Sequence, residues 1–443
     1  MEEELFGIRG FLIDAPEFGA LRGRPRGAII IAKGRIAEIG DYDDLRRLQR
    51  AKSVRWIDHS QAAIFPGLID CHTHLPQYSA VARGESELLP WLRQHIFPVE
   101  RDFTGPKARE EAPQFFHELA RHGTTTAMVY AAIYEDSCEV GFEAAKESGL
   151  RIILGKMMMD IGSYGQLQPK KVLSVSLVES ERLCRKWHGA EHGRLEYAFS
   201  PRFAVTCSEK LMRSAAEMAA RFGAYLQTHL AENREEIEKV HHLYMGARDY
   251  THVYEKYGLL TPKTMLGHCI HLTGREIAAI ATAQANVAHC PSSNLFLGSG
   301  LMKLDQIMKA GIAVGLGSDV AAGPELNMWQ VMRAAIDVQK ARGAYEPNLR
   351  QLRPSEAFHL ATQGGARALG KANIIGTLDP GKEADLIVVD LGALAPYRKT
   401  PPKDLSTEDV VALCIYRGGP HANIKTYVRG RCVYQALTTG QPS

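Results

Sequence analysis

The middle of this 443-residue chain alternates eight short apolar runs with longer amphipathic stretches, and that alternation limits the fold more than any other feature. The runs lie at 63–70, 124–130, 151–158, 195–199, 224–228, 264–267, 286–288 and 312–317. Between them, 208–222 places Leu211, Ala215, Met218, Ala219 and Phe222 on one helical face. Thr206-x-x-Glu209 and Thr273-x-x-Glu276 read as capping boxes that open two such helices. Eight strands alternating with helices over roughly 260 residues is the arithmetic of a (β/α)8 barrel of the TIM type. A doubly wound sheet would carry G-x-G-x-x-G after its first strand, and that motif is missing here.

Both ends read differently. Strand-like runs at 6–13, 27–32, 35–39 and 54–57 are separated by Gly/Asp/Lys turns. The last hundred residues offer a helix at 355–369, then strand-like segments at 384–390 and 423–434. Two β fragments flanking a barrel pair most simply with each other. The expected organisation is therefore a small β-sandwich domain contributed by 1–62 and 370–443, with the barrel at 63–369.

Charge and composition narrow the function. Lys and Arg number 53 against 50 Asp and Glu, a net +3, which gives no basic stripe for nucleic acid or an anionic membrane. The start Met1-Glu2-Glu3-Glu4 is acidic where an export signal is basic. The apolar run 28–32 is strand-sized, far below the roughly 18 residues of a spanning helix. Eight cysteines form no C-x-x-C pair, so neither a zinc ribbon nor a disulfide framework is written here. A reducing, cytoplasmic setting and a small-molecule substrate are expected.

The chemistry concentrates at the strand ends. The first run leads into Asp70-Cys-His72-Thr-His74, and alternation along a strand sends both histidines to one face. His229 closes the fifth run, His268 the sixth and Asp319 the eighth. In a barrel these C-terminal ends converge on one site. Nitrogen and carboxylate ligands suit zinc, with ferrous iron the alternative.

This constellation resembles the amidohydrolase superfamily, and within it the guanine deaminases. The matching segments are Asp70–His74 with Gln77-Tyr-Ser79, Trp91-Leu92 with Phe97-Pro-Val-Glu100, and Gly123-Thr-Thr-Thr126. Further along come Gly155-Lys-Met-Met-Met-Asp160, Ser200-Pro-Arg-Phe203 and Thr228-His-Leu-Ala-Glu-Asn-Arg-Glu235. His289-Cys-Pro-Ser-Ser-Asn294, Gly298-Ser-Gly300 and Gly317-Ser-Asp-Val320 complete the set. After Gln77 the run Ala80-Val-Ala-Arg-Gly84 departs from the Phe-Ala-Gly of animal relatives.

The resemblance implies one zinc per chain held by His72, His74, His229 and Asp319, and a zinc-activated hydroxide that converts guanine to xanthine and ammonia. It implies that His268 hydrogen-bonds the reacting centre, that Glu232 shuttles protons, and that Gln77, Arg202 and Phe203 hold the purine in a cytoplasmic homodimer. The chemistry agrees: an open zinc position brings a water's pKa to about 7. Glu232 sits three residues beyond a ligand, and Arg202 offers a donor fork to a carbonyl edge. Two-metal relatives carry a lysine at the end of strand four, where this chain has Phe199-Ser-Pro-Arg202. Rival readings are 8-oxoguanine, a pterin, a triazine or a thiomethyladenosine-type nucleoside as substrate. A non-catalytic scaffold of the same fold would have shed ligands that are all present here.

Other residues carry plainer readings. His122 ends a helix, His241 and His242 ride a charged helix, and His271 competes less well than His268 for the site. His289 lines the site or packs. Trp91 and Phe97 fit a pocket wall, a lid or a dimer contact. Met157–Met159 fills the barrel, and 22–26 forms a solvated basic loop.

Overall fold

The computed structural model describes residues 5–48, 53–84, 87–162, 169–395 and 405–437. The acidic start Met1–Glu4 lies outside them. Four strands open the chain: β1 (Phe6–Glu17), β2 (Ala20–Ala32), β3 (Arg35–Asp41) and β4 (Arg55–Pro66). Then come β5 (Leu68–His74), β6 (Thr124–Tyr130), β7 (Arg151–Gly155), the two-residue β8 (Met157–Met158), β9 (Leu195–Pro201), β10 (Tyr225–Leu230), β11 (Thr264–His268), β12 (Asn286–His289) and β13 (Val314–Leu316). β14 (Leu386–Asp390), β15 (Asn423–Val428) and β16 (Arg431–Gln435) close the list.

All eight expected barrel strands are present, paired in parallel in the order β5-β6-β7-β9-β10-β11-β12-β13. The backbone N–H of Asp319 donates to the carbonyl of His72 at 2.8 Å and draws the last strand against the first. The interior below the mouth is filled by Ile69, Cys71, Met128, Ile153, Ala198, Met265 and Ala288. This is a packed core rather than a pore.

The two ends of the chain meet in one seven-stranded sheet, in the order β16-β15-β14-β4-β1-β2-β3. Period-two alternation serves both of its faces. Ile64 and Val388 join a cluster with Ile8, Ile29 and Ile31, while Phe65 and Val389 join the main core around the barrel.

Several boundaries differ from the sequence reading. The first apolar run is two strands: its start belongs to β4 in the small sheet, and the barrel strand begins at Leu68. Thr206 caps no helix. It lies in a 3-10 turn (Ala204–Thr206), and the helix Glu209–Phe222 opens on Ser208, whose hydroxyl accepts from the Leu211 N–H. Asp160 binds both the N–H and the hydroxyl of Ser208, fixing the cap two residues later than the box suggests. The Thr273 box is present. The basic segment 22–26 is part of β2 rather than a loop, with Arg22 paired to Asp14 and Asp379 and Arg26 to Asp43. The strand-like stretch 423–434 is a hairpin turning at Arg429-Gly430, and a helix at Thr407–Arg417 went unread.

One buried ion network ties barrel to sheet. Arg151, at the start of β7, donates to Asp385 at 3.1 and 3.2 Å and pairs with Glu383. Arg429 in the β15–β16 turn donates to Glu383 at 2.7 Å, and its N–H to Asp385 at 2.9 Å. Removing one member of a buried pair strands the others without water. Arg151→Met is expected to lower stability in urea denaturation by about 3–5 kcal/mol.

Candidate active site

β5 does not keep simple alternation. Its register against β6 slips between Asp70 and Thr73, a β-bulge. Cys71 faces the interior below the bulge, and His72 and His74 face it above, because the extra residue re-aims the strand. Neighbouring strands make room with glycine. A Cβ at Gly267 would stand 2.8 Å from the His72 ring, and one at Gly317 would stand 2.7 Å from the His72 Cβ. Asp70 anchors the bulge by accepting N–H bonds from His72 (3.2 Å) and Ser318 (3.0 Å) and the Ser318 hydroxyl (2.5 Å). Its full burial pushes its carboxyl up to about 7.

The strand ends bring four sequence-selected side chains together. The ligand atoms of His72, His74, His229 and Asp319 all lie within 4.8 Å of one another, and all four residues are buried. Asp319 Oδ1 stands 3.3 Å from His72 Nε2 and 3.2 Å from His74 Nε2, and the Nε2 atoms of His74 and His229 are 3.3 Å apart. His229 Nδ1 donates to the Arg202 carbonyl at 2.7 Å, so its Nε2 turns a lone pair to the centre. Burial pushes His72 down to about 4 and His229 well below its ordinary value, keeping both rings neutral. Burial opposes ionisation of Asp319, yet the imidazoles of His72, His74 and His268 hold it well below the usual carboxylate range. Three imidazoles, one carboxylate and a buried His72 Nε2 with no hydrogen-bond partner fit a divalent cation.

A second ring of titratable residues borders this cluster. His268 Nε2 lies 3.3 Å from Glu232 and 3.6 Å from Asp319, and its Nδ1 donates to Asn294 Oδ1 at 2.8 Å. Burial works against a charged His268, but Glu232 and Asp319 hold it above its ordinary value. Burial pushes Glu232 up to about 7, and its Oε1 accepts the Ser299 hydroxyl at 3.1 Å. His268 (φ 69°) and Asp319 (φ 48°) both occupy the left-handed region, a strain of roughly 1–3 kcal/mol each that is typical of functional sites.

A cavity opens on this cluster. Gln77, Arg202 and Phe203 line it, as expected, beside Trp91, Leu92, Leu297 and Ala322. Trp91 is thus wall, its indole N–H donating to the Arg83 carbonyl at 2.8 Å. Phe97 lies under the Arg202 guanidinium, 4.9 Å from ring centroid to guanidinium carbon. His289 is buried outside the four-ligand group, and burial pushes it down to about 3. His271 turns aside to the Ser299 carbonyl at 2.7 Å.

The sequence reading gave no role to Glu100, Asn294 or Ser299. Glu100 accepts from Gln77 Nε2 at 2.8 Å and pairs with Arg202. A carboxylate directly after the apolar run 96–99 was the available signal.

The sequence profile of the amidohydrolase family matches residues 63–432. The chain belongs to the amidohydrolase family. It is 35% identical to guanine deaminase of Escherichia coli (strain K12), over 98% of this chain and 99% of that protein. Identity to the guanine deaminase of Rattus norvegicus is 34%, over 86% and 84%. A structure of guanine deaminase from C. acetobutylicum with guanine bound in its active site superposes with a TM-score of 0.90 at 29% identity, covering 97% of this chain and 100% of that one. No helix among the described residues of this amidohydrolase is long and apolar enough to cross a membrane.

Elemental analysis after purification tests the ligand set. His229→Ala is expected to leave the chain without bound divalent metal, whereas His289→Leu should retain the wild-type content.

Proposed function

We propose that this chain is a guanine aminohydrolase, converting guanine and water to xanthine and ammonia. The observation that carries the reading is a polar wall, Gln77 and Arg202, facing the His/Asp cluster across one cavity. The near full-length similarity to guanine deaminases supports it. Zinc is the proposed metal, one per chain, held by His72, His74, His229 and Asp319; when bound it supplies an acidified water at neutral pH. A cytoplasmic homodimer belongs to the same reading.

The protein's own groups do the rest. Gln77 and Arg202 bind the heterocycle by its carbonyl edge, and Phe203 offers a flat apolar face. Glu232 takes a proton from the attacking water and gives it to a ring nitrogen as the C2–O bond forms. The remaining proton of the C2 hydroxyl passes through Glu232 to the exocyclic amine, the C2–N bond breaks as C2=O forms, and ammonia leaves. His268, between Glu232 and Asp319, stabilises oxygen charge at C2 by hydrogen bonding. The apolar walls Trp91, Leu92 and Leu297 exclude bulk water.

Two measurements test this reading. Glu232→Gln preserves shape but cannot accept the proton, so kcat should fall by about 10²–10⁴-fold with metal content unchanged. Wild-type turnover in that variant would remove Glu232 from the mechanism. Selectivity separates guanine from the rival substrates. Adenine carries a donor where guanine carries its carbonyl, so Arg202, which only donates, rejects it. A site built for a hydrogen bond discriminates by roughly 10⁴-fold or more. Ammonia release should favour guanine over adenine by that order, and Arg202→Met should collapse guanine kcat/KM and shrink the ratio. A wild-type preference for a triazine, pterin or adenine-type ring would overturn the substrate.

A further inference from the structure

The cavity wall is governed by a residue that lies behind it. Glu100 is buried at 1% exposure in the helix Phe97–Asp102, and its two carboxylate oxygens serve two wall residues. Oε1 accepts from Gln77 Nε2 at 2.8 Å, and Oε2 pairs with Arg202 Nη1. At its other end Gln77 Oε1 accepts the Ala321 N–H at 3.2 Å.

These contacts decide the sense of an otherwise reversible amide. A backbone N–H only donates and a carboxylate only accepts. Gln77 can therefore satisfy both only with its oxygen toward Ala321 and its NH₂ toward Glu100. The reversed amide would set donor against donor at Ala321 and acceptor against acceptor at Glu100. Arg202 is held in place by the same carboxylate and by the Phe97 face. Glu100 and Arg202 also cancel each other's charge, so the pair favours a neutral ring chosen by its hydrogen-bond pattern.

We propose that Glu100 is the specificity-determining positioning residue of this site, fixing the donor–acceptor sense of Gln77 and the place of Arg202 so that the wall reads the carbonyl edge of a neutral purine. The proposal rests on the guanine reading above.

The test inverts the polarity of the pair. Glu100→Gln keeps the shape and one acceptor for Arg202 but turns an NH₂ toward Gln77. Its guanine kcat/KM should fall by about 10²-fold or more, the scale of a misplaced binding group. Metal content should remain at the wild-type level, because no metal-ligand candidate is touched. The double variant Gln77→Glu/Glu100→Gln restores acceptors for both Ala321 N–H and residue 100. It should regain the thermal midpoint lost in Glu100→Gln, yet guanine turnover should stay lost because residue 77 now only accepts. It also remains informative if the single variant fails to fold. Wild-type guanine kcat/KM in Glu100→Gln would overturn the proposal. So would recovery of guanine turnover in the double variant, which would make Glu100 a packing residue only. Wild type that releases ammonia from another ring but not from guanine would instead overturn the substrate reading.

Discussion

Asp319 joins the last barrel strand to the first and brings its carboxylate into the His/Asp cluster. Its N–H closes on the His72 carbonyl, while its carboxylate meets the imidazoles of His72 and His74. Barrel closure and assembly of the His/Asp cluster are thus one geometric event. Asp70 reinforces it from below, holding the bulge at His72 and the turn at Ser318. Burial there opposes ionisation, and the imidazoles of His72, His74 and His268 outweigh it, holding the Asp319 carboxyl well below its usual range.

The fold was largely legible because its signals are periodic. Strand runs between amphipathic helices mark a barrel, and the ligands are legible once strand ends are taken to converge. What stayed hidden was aperiodic or long-range. A β-bulge adds one residue to a strand without altering hydropathy, so the alternation argument reached the right face for His72 and His74 by an incomplete route. The small sheet captured Ala63–Pro66 because an apolar run does not say which sheet it joins. Glu100 was missed because its partners lie 23 and 102 positions away, and only tertiary structure makes one buried carboxylate serve both.

Chemistry and recognition sit on different supports. The titratable groups beside the His/Asp cluster hang from strand ends, with His268 tied to Asn294 and Glu232 to Ser299. The polar cavity wall of Gln77 and Arg202 is braced by a short helix outside the barrel strands, through Glu100 and Phe97. Loops and helices above a barrel can diverge while the strand ends stay fixed, so one arrangement of strand-end residues can serve many chemistries.

The place of β4 has a consequence for synthesis of the chain. This strand lies between β1, made just before it, and β14, made only after the whole barrel. On a ribosome β4 therefore emerges with one edge satisfied and the other bare, and the bare edge is the apolar stretch Ala62–Pro66. An unpaired apolar edge is a template for pairing with another nascent chain. The barrel must fold beside this unfinished sheet, and folding ends only when the C-terminal hairpin and Leu386–Asp390 arrive. Truncation before Leu386 thus exposes a sticky edge near the opposite end of the chain.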